Sequence, residues 1–154
     1  MKKVAIGIDI GGTNTVIGAV DQDGNVMMSR SMDTGKHGDF NRYIGDVGAE
    51  IKELEKSLKL MNEEIDILGI GVGAPNGNYY NGTIEFAPNL SFKGVVHIVD
   101  ALKKNFPETY AIALTNDANA AAIGEMVYGG AQGMQNFVMF TLGTGVGSGL
   151  IVNG

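Results

Sequence analysis

The chain has 154 residues, 44% of them hydrophobic, enough for one ordinary domain core and too few for a large two-domain enzyme. A net charge of −6 with only two arginines, Arg30 and Arg42, argues against nucleic acid as a partner, and the absence of cysteine removes disulfides and thiolate metal sites. No apolar run approaches the roughly 20 residues that cross a bilayer, and Met1-Lys2-Lys3 leads into a short strand, not a signal-peptide core, so a cytoplasmic protein without membrane contact is expected.

In chain order, the pattern predicts strands over 4–10, 15–21 and 26–32, the last two joined by Asp23-Gly24, a strong hairpin signal. From 39 to 60 the apolar residues Phe40, Tyr43, Ile44, Val47, Ile51, Leu54 and Leu58 recur at helical spacing, with a charged, solvated opposite face. A strand follows at 65–72, a helix at 95–106, a strand at 110–115, a helix at 118–128, and a further strand at 137–142. An antiparallel meander feeding βα crossovers builds a mixed sheet covered by helices. The expected fold class is α/β, an actin-like ATPase or ribonuclease H-like half-domain.

Glycine is abundant, 24 residues, and it clusters at strand ends. The opening GIDIGGTNTVIGAVD (7–21) has a plan that FTLGTGVGSGLIVNG (140–154) repeats: strand, glycine-threonine turn, strand. Thr141-Leu142-Gly143-Thr144-Gly145 aligns with Asp9-Ile10-Gly11-Gly12-Thr13. The repeat predicts one lobe over 1–135 and the beginning of a second, similar lobe over 136–154.

Either turn alone could be a plain hairpin. A matched pair suggests a clamp for a polyphosphate, because glycine lets backbone N–H groups approach oxygens without a Cβ in the way. Thr13, Asn14 and Thr144 add neutral donors, and Asp9 is placed to hold water on Mg²⁺, which keeps its waters and takes few carboxylates. Gly69-Ile70-Gly71-Val72-Gly73-Ala74 fits a dinucleotide fingerprint only superficially, since Pro75-Asn76-Gly77 stands where a helix would have to open.

Thr115-Asn116-Asp117-Ala118 lies where a strand meets an alanine-rich helix, the place where crevices open in α/β sheets. Asn and Asp are also ordinary helix caps there. Beside a phosphate clamp, Asp117 becomes a candidate base that takes a proton from a substrate hydroxyl. His37 and His97 read as incidental, and the eight methionines as core filler.

Taken with GIGVGAPNG, FAPNL and LTNDANAAAIGE, these motifs resemble, over essentially the whole chain, the ROK family (repressors, open reading frames, kinases), and most of all its bacterial glucokinases. The resemblance implies ATP-dependent phosphorylation of a hexose, glucose foremost, in a cleft between two lobes. It gives Asp117 as catalytic base, Asn89 and Asn116 as sugar ligands, and Asn76 and Gly77 as a sugar-facing loop. Gly11, Gly12, Thr13 and Asn14 match the first phosphate motif, and Gly143, Thr144 and Gly145 the second. It further implies a structural zinc only in a C-terminal half not contained here, and because the adenosine pocket and the other wall of the cleft would lie there too, this fragment alone is expected to be inactive. Alternatives are a sugar-sensing ROK regulator or another actin-like ATPase. Finally, Phe137, Val138, Met139, Phe140, Leu150, Ile151 and Val152 form a hairpin without evident cover. Such a hairpin is expected to be disordered or paired with a second copy, hence a homodimer.

Overall fold

A computed structural model of the chain describes residues 1–61, 64–143 and 145–154. Strict alternation drives the first strand: Val4, Ile6, Ile8 and Ile10 are buried on one side of β1 (Lys2–Ile10). β1 pairs antiparallel with β2 (Asn14–Asp21), which pairs antiparallel with β3 (Val26–Asp33). α1 (Phe40–Leu60) begins where the Asp39 carboxylate accepts the Arg42 N–H at 2.8 Å, a standard N-cap. Its buried stripe, from Tyr43 to Leu58, covers one face of the sheet.

β4 (Ile65–Ala74) returns parallel to β1. A small sheet follows, made of β5 (Gly77–Asn78), β6 (Thr83–Glu85) and β7 (Val95–Val96), and then α2 (Ile98–Lys103). β8 (Ala111–Asn116) pairs parallel with β4, completing the order β3-β2-β1-β4-β8. α3 (Asp117–Tyr128) packs on the second face, where Gly73 leaves room: a Cβ there would lie 3.3 Å from the Ala120 methyl. β9 (Phe137–Leu142) and β10 (Val146–Ile151) form the final hairpin. The mixed α/β sheet is the half-domain that the element order predicts.

Two expectations need correction. The helix foreseen over 95–106 is shorter, because β-branched Val95 and Val96 pair with Glu85 and Ile84 and leave only Ile98–Lys103 helical. The terminal hairpin has cover within its own chain on one face, since Gly147 and Gly149 let it sit against Ala118 and Ala122 of α3. Its other face, with Phe140, Leu142, Val146 and Leu150, is exposed. His37 lies in the loop before α1 and is buried there: its Nε2 lies 2.8 Å from Asp46, and its ring meets Tyr43 edge-on.

The glycines of Gly69-Ile70-Gly71-Val72-Gly73 are strand residues, as the following proline suggested. β4 runs on to Ala74 and no helix opens after it. A side chain at Gly69 would overlap the Ala111 backbone of β8. Among the described residues no helix is long and apolar enough to cross a membrane.

Candidate active site

Parallel strands end together, so β1, β4 and β8 deliver their following turns to one edge of the sheet. The turn after β1 is tight: the Gly11 N–H donates to the Asn14 carbonyl at 2.9 Å. The amides of Gly12 and Thr13 make no hydrogen bond among the described residues. The turn is also braced from below. Thr34 N–H donates to Thr13 O at 2.8 Å, and the buried Thr15 hydroxyl lies 2.7 Å from both the Thr34 hydroxyl and the Tyr43 hydroxyl. A satisfied buried network of this kind fixes one conformation, so the turn is held with its free amides in place.

Asn89 comes to the same place from the loop between β6 and β7. Its backbone touches the first turn, for a Cβ placed on Gly12 would stand 2.6 Å from the Asn89 carbonyl oxygen. Leu90 and Phe92 are buried on either side of Ser91, and Phe92 packs on Tyr43 with ring centroids 5.0 Å apart. The Ser91 hydroxyl donates to the His37 carbonyl. The motif reading found Asn89, but nothing local in the sequence pointed to Ser91, whose partner is 54 positions away.

Asn76 adopts φ 53°, and its side-chain amide donates to the carbonyl of Glu85 at 3.0 Å, so it braces its own loop. Gly77 abuts the Thr115 carbonyl oxygen so closely that no side chain fits. Both therefore lie beside the end of β8, next to Asn116. The Asn116 side chain caps α3 by accepting the Ala118 N–H at 3.0 Å, and Asp117 Oδ1 accepts the same N–H at 2.9 Å. The capping role is thus real for both residues. It engages one oxygen of Asp117, which remains exposed, and no other hydrogen bond of that carboxylate occurs among the described residues.

Asp9 and Asp117 line one groove of about 950 Å³ together with Val16, Gly71, Thr115 and Ala120. The surrounding protein, and secondarily the negative charge of Asp117, raise the Asp9 pKa above the usual carboxylate value. Two carboxylates that repel each other across a groove suit a cation between them and phosphate. Among the described residues no group of three His, Asp or Glu side chains could hold a metal by itself. A Mg²⁺ ion bound through a carboxylate, water and phosphate fits that donor set.

The second turn lies at the same end of the molecule. β10 places Gly147 against Ala118 and Gly149 against Ala122, so the turn before Gly147 lies toward the N-terminus of α3, where Asp117 stands. Gly143 N–H donates to Gly145 O at 3.0 Å, and a Cβ on either glycine would meet nothing within 4 Å. Thr144 lies outside the described residues.

The family model described as "ROK family" matches residues 5–154. A glucokinase of Streptomyces coelicolor is 31% identical over 152 residues, covering 97% of this chain and 44% of that protein. The crystal structure of a ROK family glucokinase from Streptomyces griseus, in complex with glucose and AMPPNP, superposes with a TM-score of 0.80 at 28% identity, over 97% of this chain and 45% of that one. A ROK family transcriptional regulator, a homologue of the E. coli MLC protein, shares the fold with a TM-score of 0.82 at 19% identity, over 98% of this chain and 37% of that one. The chain thus spans less than half the length of these relatives.

Proposed function

The chain belongs to the ROK family, and from that premise we propose that the full-length protein phosphorylates a hexose, most readily glucose, with ATP. The observation that carries this reading is the meeting of three features at one sheet edge: a glycine turn with free amides, the Asn89 loop seated on it, and the Asp117 carboxylate. A sugar kinase needs a phosphate cradle, a sugar loop and a base in that proximity. Similarity to a glucokinase supports it, and so does similarity to a structure that holds glucose and an ATP analogue.

In this reading the free amides of Gly12 and Thr13, in the turn that the Gly11 N–H closes onto Asn14, hold phosphate oxygens from one side. Gly143, Thr144 and Gly145 hold them from the other. Asn89, Asn116 and the loop of Asn76 and Gly77 orient the sugar hydroxyls. Asp117 accepts the proton of the attacking hydroxyl as its oxygen bonds to the γ-phosphorus; the bond from that phosphorus to the bridging oxygen breaks, and ADP leaves. Asp9 would hold water on Mg²⁺, which when bound neutralises charge on the phosphates. Residues 1–135 form the first lobe and 136–154 the opening of the second in this assignment, and cytoplasmic work as a homodimer belongs to the same proposal. Sugar-dependent ADP release by the full-length protein, measured with glucose, mannose, fructose and N-acetylmannosamine, tests it. A regulator or a sugar-independent ATPase would release no additional ADP on adding sugar.

A further inference from the structure

Asn89 sits in a loop that has few ladder hydrogen bonds of its own. The neck is closed where Phe86 N–H donates to Gly94 O at 2.8 Å, with Phe86 held at φ 52° and Gly94 at φ 83°. Inside that neck the carbonyls on either side of Asn89 converge on one cation. The Lys93 ammonium donates to Pro88 O at 2.9 Å and to Leu90 O at 2.5 Å. Hydrogen bonds from an ionised donor are stronger than neutral ones, and backbone carbonyls of an irregular loop need some partner. The peptide between these two carbonyls is the one that rests on Gly12.

We infer that Lys93 is a positioning residue for the sugar site: it locks the Asn89 peptide from both flanks and thereby fixes the seat of the phosphate turn at Gly12. It acts through the carbonyls of Pro88 and Leu90 and need not touch a substrate. The role of Asn89 in sugar binding rests on the proposed function, whereas the clamp itself is geometric.

The test uses Lys93→Met, which keeps the aliphatic stem and removes the donors, and Lys93→Arg, which keeps charge and donors. Amide hydrogen exchange over residues 86–94 should speed up in Lys93→Met and return toward wild type in Lys93→Arg, while exchange in α1 stays unchanged. In the full-length protein the KM for the sugar should rise about tenfold, the loss of one charge-assisted contact. Turnover at saturating sugar should fall much less, with partial rescue by arginine. Unchanged loop exchange in Lys93→Met would overturn the clamp. Faster exchange with an unaltered sugar KM would overturn the positioning role. A wild-type protein that phosphorylates no sugar would instead overturn the kinase reading, leaving the clamp to be judged by exchange alone.

Discussion

Gly12 and Asn89 are in such close approach that the turn after β1 and the Asn89 loop form one surface: a Cβ on Gly12 would stand 2.6 Å from the Asn89 carbonyl oxygen and 3.3 Å from its Cβ. The absence of a side chain at Gly12 therefore serves two purposes, exposing amides and admitting the loop. Gly11 differs, since its nearest obstacle is Asn14 O at 2.8 Å within the same turn.

Gly12→Val should consequently raise the KM for sugar as well as for ATP. A simple phosphate cradle would change the nucleotide constant alone. Steady-state kinetics with each substrate varied in turn separates the two, and a sugar KM equal to wild type would show that the contact is incidental.

Asp9→Asn should remove phosphoryl transfer yet raise the melting temperature of the ligand-free protein. Folding lifts the pKa of Asp9, through burial first and the charge of Asp117 second, so the ionised form carries a cost in the folded state. That cost is present at neutral pH and disappears as pH falls through the raised value toward the ordinary carboxylate value. The gain in melting temperature should therefore shrink on acidification, and thermal scans at several pH values check its sign.

The hydroxyl network under the first turn gives a stability prediction. Thr15→Val keeps the shape but leaves the buried Thr34 and Tyr43 hydroxyls without their common partner. Unfolding free energy should fall by about 1–3 kcal/mol for each unsatisfied group. Tyr43→Phe removes one hydroxyl and leaves Thr15 bonded to Thr34, so it should cost less, about 1 kcal/mol. Urea titration of both variants supplies the comparison.

Much of the architecture was legible because period-two and helical patterns were strong: β1 alternates cleanly, and the stripe from Tyr43 to Leu58 is the buried face of α1. The short strands at Gly77–Asn78, Thr83–Glu85 and Val95–Val96 were not legible, since two or three residues carry no period. Helical spacing at Val95 and Val96 was misleading for the same reason: their pairing with β6 is a tertiary fact. At the candidate site, the glycine turns, Asn89 and Asn116-Asp117 stood out as motifs. His37, Ser91 and Lys93 did not, because their roles depend on which loop the fold brings over them. The capping bonds of Asn116 and Asp117 show that a structural reading and a functional one can hold for one side chain.

The measurement that bears most directly on the central claim is sugar-dependent ADP release by the full-length protein and its Asp117→Asn variant. Asparagine keeps an oxygen to accept the Ala118 N–H, now at 2.9 Å, so the cap and the fold should persist. With Asp117 as the base, kcat should drop by about 10² to 10⁴ while the sugar KM changes little. Near-normal turnover in a folded Asp117→Asn variant would contradict the account and leave Asp117 a helix cap alone.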